Sequence, residues 1–163
     1  MDFENELEKL ARQEEALIFP AFDEDIAWRL GEALRVRAKA AGQAVTIVIR
    51  RGEDIVFLHA MPGTSPANAD WARRKHNVVA LMQRSSYAVS LECRRDGKGL
   101  DEKMGLPLRD YAWHGGCFPI RVAAAGMIGT VTVSGLPQRA DHELVVAGLA
   151  QLLGHDEATL ALD

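Results

Sequence analysis

Four stretches of the chain carry apolar residues every three or four positions, the spacing of an amphipathic helix. They are residues 5–15, 23–41, 65–84 and 141–153. Asp23 and Gly42 are typical N-cap and C-cap residues, so they predict the two ends of the second helix. Ser65, which precedes a proline, predicts the start of the third helix, and Asp141 is predicted to cap the last one. A short helical segment is expected over residues 87–93.

Two pairs of runs rich in β-branched residues predict two β-hairpins. The first pair is 44–51 and 55–60, and the second is 118–124 and 127–134. Successive residues of a strand point to opposite sides of the sheet, so every second apolar residue is expected on one buried face. We expect that helices cover this face and that it holds Val45, Ile47, Ile49, Val131 and Val133. A short additional strand is predicted near residues 111–115.

The order of these elements indicates the fold class. A chain of 163 residues is expected to form one domain, 1–163, with an N-terminal helical extension over 1–22 and a frayed tail over 155–163. Hairpin strands pair antiparallel, and the helices before, between and after them need a sheet face to cover. We therefore predict an α+β fold in which helices flank an antiparallel sheet. The long polar loop 96–110 is expected to be functional or mobile.

The composition is that of an ordinary globular protein, with 48% apolar and 26% charged residues. A net charge of −4, spread along the chain, argues against a nucleic-acid-binding protein. No apolar run approaches the roughly 20 residues of a membrane span, and the two cysteines make neither a disulfide framework nor a metal site. The five histidines lack metal-ligand spacing. We therefore expect no metal, no membrane partner and a reducing, cytoplasmic location.

Several sequence blocks resemble those of a known family. The blocks are residues 71–75, 84–86, 111–120 (YAWHGGCFPI) and 129–138 (GTVTVSGLPQ), followed by Asp141 and His142. They are similar to an uncharacterised family related to the haem-degrading or haem-binding domain superfamily of the GlcG and HbpS type. The resemblance covers nearly the whole chain and implies a profilin-like, PAS-like antiparallel sheet of about five strands, with assembly into homo-oligomers. It also raises haem as a cofactor, without matching an axial haem ligand to a position in this chain.

His114, Gly115 and Gly116 precede the predicted strand 118–124 and form the first candidate site. Adjacent glycines let a ligand or another chain segment approach the backbone closely. One interpretation is the floor of a pocket, with His114 as a proton donor, metal ligand or haem contact. The other is a turn or bulge at a strand start, with His114 bonded to a backbone carbonyl or packed between subunits. Cys117 lies three residues after His114, and residues three apart in a strand face opposite sides. We therefore expect no pairing of the two side chains and assign Cys117 as a packing residue.

Trp71, Arg74 and Lys75 share one side of the predicted third helix. The functional interpretation is an aromatic wall beside a cationic clamp for a carboxylate, a phosphate or a haem propionate. The alternative, which we favour for Lys75, is that Trp71 lies half in the core while the cations bridge to acidic groups of a neighbouring subunit. A ligand pocket is predicted to be lined by His114, Gly115, Gly116, Phe118, Trp71 and Arg74. The loop 96–110 would close over it.

Three functions fit these features. The first is a small-ligand-binding protein, assembled as a homo-oligomer, that binds a small anionic or haem-related ligand and has no assured catalytic activity. The second is an enzyme that acts on haem or on a small anionic metabolite, with His114 as acid or base and Arg74 as anion clamp. The third is a protein-interaction module. Apolar residues expected to be exposed in the N-terminal helix and in residues 100–108 support the homo-oligomer.

Overall fold

The computed structural model describes residues 1–162, which contain six α-helices and five β-strands. Residue 163, the last residue of the predicted tail, lies outside the described part of the chain. The helices are α1 (Phe3–Ala16), α2 (Glu24–Ala40), α3 (Pro66–Met82), α4 (Ser86–Asp96), α5 (Leu100–Met104) and α6 (Gln138–Leu153). The strands are β1 (Ile18–Phe19), β2 (Thr46–Arg51), β3 (Asp54–Ala60), β4 (Cys117–Val122) and β5 (Gly126–Ser134). As predicted, Asp23 caps α2, because its carboxylate accepts the backbone N–H of Ile26 at 2.8 Å. Among these helices, none is both long and apolar enough to cross a membrane.

One five-stranded sheet, in the order β1-β4-β5-β2-β3, contains both predicted hairpins. β2 pairs with β3, β4 pairs with β5, and the two hairpins meet where β2 pairs with β5, all three pairs being antiparallel. Ile47 lies opposite Val133 and Ile49 lies opposite Val131, so apolar residues of both hairpins share one face. The predicted α+β fold, an antiparallel sheet flanked by helices, is confirmed.

The fifth strand differs from the one predicted. Residues 111–115 form no strand, and the sheet is completed by β1, which pairs parallel with β4 and places Ile18 opposite Arg121. Ala112 donates its backbone N–H to the carbonyl oxygen of Arg74 at 3.1 Å, so the 111–115 segment is bonded to α3 and not to a strand. A two-residue strand is too short to show a period of two, which is why the sequence pattern misses it.

Helices cover both faces of the sheet. α2 and α6 pack against each other and against one face. The residues completely buried on that face include Val45, Ile47, Ile49, Val131 and Val133, which confirms the predicted core face. α3 covers the opposite face, over β4, β5 and β2. Since a buried aliphatic side chain contributes about 1.5–3 kcal/mol, the α2–α6 side is the main apolar core.

Both ends of the chain pack on the domain. Leu7 and Leu10 of α1 are buried against α4, and Leu160 and Leu162 near the C-terminus are buried as well. Gln13 donates its side-chain amide to the carbonyl oxygen of Leu160 at 2.6 Å, which ties α1 to the C-terminal residues. The prediction of a frayed tail is therefore wrong up to Leu162. The apolar residues of the N-terminal helix are also covered within the chain.

The predicted loop 96–110 contains the short helix α5. Leu100, at the start of α5, is only 2% exposed and packs in a cluster with Val78 of α3 and Val89 of α4. Lys103, also in α5, pairs with Asp96 at 2.6 Å. The first half of this segment is therefore attached to the domain by apolar packing and an ion pair.

Candidate functional site

The segment after α5 carries His114 and runs along α3. Asn77 of α3 donates its side-chain amide to the carbonyl oxygen of Asp110 at 2.8 Å. Arg74 Nε donates to the carbonyl oxygen of Leu108 at 3.1 Å. In this structure the second half of the predicted loop is thus bonded along α3, and it brings His114 to the side chains of that helix.

The Trp71 ring contacts both His114 and Arg74 at the end of this segment. The rings of Trp71 and His114 meet edge to face with 5.1 Å between their centroids, and Arg74 Cζ lies 4.4 Å from the Trp71 ring centroid. Burial lowers the pKa of His114 below its ordinary value, and the positive charges of Lys75 and Arg74 lower it further. His114 is therefore a neutral imidazole near pH 7, with one nitrogen that donates a hydrogen bond and one that accepts.

Gly115 and Gly116 let β4 begin very close to the end of β5 and the start of α6. A Cβ on Gly115 would overlap the carbonyl oxygen of Gln138, and a Cβ on Gly116 would overlap the carbonyl oxygen of Val133. Gly116 also has a φ of 126°, which residues with a side chain rarely adopt. The backbone N–H of Gly115 donates to Gln138 Oε1 at 3.1 Å. The paired glycines therefore join three backbone segments at close range.

A buried ion pair lies beside these glycines. Lys75 Nζ donates to Asp141 Oδ2 at 2.8 Å and to the carbonyl oxygen of Val133 at 3.2 Å, and the two charged side chains are only 5% and 2% exposed. The Asp141 carboxylate also accepts the backbone N–H groups of Leu136 at 3.0 Å and Gly135 at 3.4 Å. Burial raises the pKa of Asp141, while Lys75 and the two N–H groups act in the opposite direction. The carboxylate is thus held by several donors at once.

Two sequence predictions are corrected by this pair. α6 begins at Gln138 and its N-cap is Pro137, so Asp141 lies inside the first turn and is not the cap. The carboxylate instead turns back to the N–H groups that precede the helix. Lys75 pairs with Asp141 of its own chain, where the sequence favoured an acidic group on a neighbouring subunit. The partners are 66 residues apart, a distance over which no local pattern connects them.

A cavity of about 280 Å³ opens beside the ion pair, between α3, the end of β5 and the start of α6. Its wall consists of Asn68, Trp71, Lys75, His114, Ser134, Gly135, Leu136, Gln138 and Asp141. Trp71 and His114 are therefore the two predicted pocket residues that line it. Gly115 and Gly116 contact members of the wall, and Arg74 contacts the Trp71 ring without being part of the wall.

Phe118, a third predicted pocket residue, lies outside this cavity. It is completely buried in the apolar core, with its ring centroid 6.0 Å from that of His142. Successive strand residues face opposite sides, so Phe118 and its neighbour Cys117 point to different faces of the sheet. Cys117 Sγ accepts the Thr132 hydroxyl at 3.1 Å, and burial raises the pKa of the thiol to about 12. Cys117 is therefore an inert packing residue, as predicted.

The cavity beside Lys75 differs in chemistry from a larger groove near the C-terminal residues. A groove of about 440 Å³ lies between α6 and the C-terminal residues, and its wall is mostly alanine, valine and leucine. Small-molecule sites usually combine apolar walls with a few converging polar groups, which the cavity beside Lys75 does. Within residues 1–162, no three His, Cys, Asp or Glu side chains are grouped to hold a metal ion.

Comparison with known proteins finds relatives along almost the whole chain. The family model described as haem degrading protein HbpS-like matches residues 22–150. A UPF0303 protein of Azotobacter vinelandii is 55% identical over 163 residues, which are 100% of this chain and 98% of that protein. A UPF0303 protein of Acidobacterium capsulatum is 53% identical over 162 residues, or 99% of this chain and 98% of that protein.

Solved structures share the fold. The crystal structure of the Ybr137w protein has a TM-score of 0.83 at 26% identity and covers 91% of this chain and 87% of its own. The crystal structure of a PduOC–haem complex has a TM-score of 0.66 at 18% identity and covers 82% of this chain and 94% of its own. The second likeness concerns the fold alone. On the family-model match and the identity to the UPF0303 proteins, the chain belongs to the haem degrading protein HbpS-like family.

Proposed function

We propose that this protein binds a small anionic ligand in the cavity beside Lys75 and acts as a homo-oligomer. The observation that carries the proposal is the Lys75–Asp141 ion pair, almost completely buried yet part of the cavity wall. A buried ion pair is often no more stabilising than well-packed apolar residues of the same volume, so stability alone explains it poorly. Buried ionisable groups beside a cleft are typical of functional sites.

The wall residues supply complementary contacts for such a ligand. Trp71 is an apolar wall, and His114 offers one donor and one acceptor. Lys75 has three N–H donors, of which two serve Asp141 and Val133. The guanidinium of Arg74, over the Trp71 ring, adds positive charge near the opening. Since about 280 Å³ is just below the roughly 300–1,000 Å³ of ligand pockets, the ligand is a small metabolite.

Haem, which the family description raises, does not fit the residues present. The cavity is at the small end of the range for ligand sites, and a haem macrocycle is much larger than the ligands found there. Arg74 is not part of the cavity wall and already donates to the carbonyl oxygen of Leu108. No step of the proposal therefore passes through haem.

Acid–base chemistry at His114 is a second candidate function. Its favouring observation is the lowered pKa of His114, caused first by burial and then by Lys75 and Arg74, which keeps the imidazole neutral and able to accept a proton near pH 7. In that function His114 would take a proton from the bound ligand while Lys75 stabilises the negative charge that develops. A His114→Gln variant that still binds ligand but no longer converts it would separate this candidate from binding alone.

We also infer that the protein is cytoplasmic. Cys93 and Cys117 are both free and buried, which is usual for proteins of a reducing compartment.

The test is native mass spectrometry of the protein purified without denaturation, followed by calorimetric titration with small mono- and dicarboxylates and inorganic phosphate. A bound species or a saturable titration is expected, and Trp71→Ala and His114→Gln should weaken it at least about tenfold, roughly 1.4 kcal/mol. The matched control is Trp28→Ala, since Trp28 is 64% exposed on α2 and outside the cavity wall. Empty protein that titrates none of these probes, or equal weakening by Trp28→Ala, would contradict the proposal. Absorbance in the Soret region after haemin addition, abolished by His114→Gln, would instead support haem.

A further inference from the structure

The outer edge of β3 is an unpaired strand edge. β3 is the last strand of the sheet order, and within residues 1–162 its outer side has no neighbouring strand. An edge of this kind presents a row of free N–H and C=O groups that pairs readily with another strand. Asp54–Ala60 contains neither proline nor lysine, two residues that usually protect such edges, and of the common protections it carries a bulge.

A bulge places two exposed apolar residues of β3 on the same face. Ile49 of β2 pairs with Phe57 and the next residue, Arg50, pairs with Ile55, so Val56 is the extra residue in β3. Ile55 and Leu58 would face opposite sides of a regular strand, but the bulge shifts the alternation by one. Both therefore face the side of the sheet that α3 covers over β2, β4 and β5, and there they are 50% and 54% exposed.

The same alternation places the two titratable residues at the ends of β3 on the other face. Asp54 pairs with Arg51 and His59 pairs with Ile47, so both share the face of the apolar core. An antiparallel copy of β3 that lies with Ile55 opposite Leu58 also lies with Asp54 opposite His59. In this single register Ile55 lies opposite Leu58 and Asp54 lies opposite His59, so apolar side chains meet apolar ones and the acid meets the base. A two-fold axis repeats each of the two pairs once.

We infer that β3 pairs antiparallel with β3 of a second copy of this chain, with Ile55 opposite the partner's Leu58 and Asp54 opposite the partner's His59. This inference rests on the homo-oligomer in the proposed function and names its interface. The two sheets then continue across the contact, and the exposed Ile55 and Leu58 of both copies cover one another.

Cross-linking tests the register directly. In the double variant Asp54→Cys/His59→Cys, each cysteine lies opposite its counterpart in the partner, where Cβ atoms are about 4.5–5.5 Å apart. Mild oxidation should therefore give a covalent dimer on a non-reducing gel. Either single variant is the matched control, because its two copies lie more than about 10 Å apart and do not form a disulfide. The native cysteines are buried and do not compete.

Light scattering tests the interface. The unmodified protein at micromolar concentration should have a mass at least twice 17.9 kDa, and Leu58→Lys should lower it to a smaller species. Leu81→Lys is the control, since Leu81 is 48% exposed on α3 and outside the contact. A monomer across a dilution series overturns both this interface and the homo-oligomer. An oligomer that Leu58→Lys leaves intact, or a double-cysteine variant that stays uncross-linked, overturns the β3 pairing and leaves the homo-oligomer standing.

Discussion

Over β2 and β5, both faces of the central sheet carry buried residues, but the two faces differ in chemistry. On the α2–α6 side, alternate residues of β2 and β5 are isoleucine and valine with no exposed surface. On the α3 side, the residues between them include Thr46, Thr130 and Thr132, which are 0%, 0% and 1% exposed. Above these threonines lie two ionisable residues of α3, Lys75 and His76, also buried.

The polar face is held by directional bonds. His76 Nδ1 is 2.8 Å from Thr130 Oγ1, and its other ring nitrogen is 3.4 Å from the Glu53 carboxylate. Apolar contacts tolerate small rotations and shifts, whereas buried hydrogen bonds are satisfied only in a narrow geometry. The apolar face therefore supplies most of the stability, while the polar face determines how α3 sits on the sheet. The candidate cavity lies on the polar side, at the end of α3 that carries Trp71 and Lys75.

Breaking the ion pair of the polar face should have the largest effect. Asp141→Ala leaves the Lys75 ammonium buried without its countercharge and removes the acceptor of the Gly135 and Leu136 N–H groups. We expect the free energy of unfolding to fall by about 3–5 kcal/mol. Urea denaturation followed by circular dichroism measures it.

An exposed ion pair provides the control for this variant. Glu32 pairs with Arg35 at 2.6 Å on the surface of α2, with side chains 43% and 31% exposed. Because water screens such a pair, Glu32→Ala should lower the free energy of unfolding much less than Asp141→Ala does. Equal costs for the two variants would show that the buried pair contributes no more than a surface one, and the contrast between regions would not hold.

The sequence predicts the fold correctly wherever a pattern of apolar and polar residues repeats over several positions. Alternation in β2 and β5 predicts both hairpins and the apolar face, and Asp23 predicts the start of α2. The sequence pattern does not predict strand β1, because two residues are too few to show a period. The alternation of valine with threonine in β5 identifies a two-sided strand, but it does not tell whether a helix or solvent lies on the threonine side.

The sequence predicts only part of the candidate site. Trp71 and His114 stand out as an aromatic residue and a histidine in unusual local sequence, and both line the cavity. The sequence places Phe118 wrongly in the cavity wall, because the face that a residue occupies depends on where its strand begins. The bend at Gly115 and Gly116 sets that start. An acidic residue near a helix start is usually its cap, so the sequence predicts that role for Asp141. Its pairing with Lys75 is a tertiary contact that local reading does not provide.

Lowering the pH should reveal a second difference between the two faces of the sheet, because one buried histidine lies on each face. His142 of α6, packed between Tyr87 and Phe118, and His76 of α3 both have a pKa lowered chiefly by burial, that of His142 to about 3. A folded pKa below the unfolded value of about 6.5 means that the unfolded chain takes up the proton first. Their contribution to stability is therefore complete above about pH 6.5 and is lost as the pH falls, for His142 down to about pH 3.

For His142 the loss should be roughly 1 kcal/mol per pH unit below about pH 6. Urea denaturation at pH 7, 6 and 5 measures this loss. His142→Phe should reduce the slope of the free energy of unfolding against pH by the amount that corresponds to about one proton. His155→Gln is the control, because His155 lies exposed beyond α6. An unchanged slope in His142→Phe would contradict the prediction. A reduction for His76→Phe as large as for His142→Phe would show that the two faces respond alike to acid.

One chemical change at two sites of the polar face should give a cost at the first site and the smallest effect of all at the second. Thr130→Val removes the hydroxyl bonded to His76 and leaves a buried ring nitrogen without that partner, which should cost about 1–3 kcal/mol. Thr46→Val removes a buried hydroxyl that has no hydrogen-bond partner among the described residues, so it should leave stability unchanged or raise it by up to about 1 kcal/mol. The same methyl-for-hydroxyl exchange is thus expected to have opposite signs on one sheet face. Thermal and urea unfolding of both variants measure the difference. Two destabilisations of equal size would mean that Thr46 has a partner, and the polar face would then be satisfied throughout.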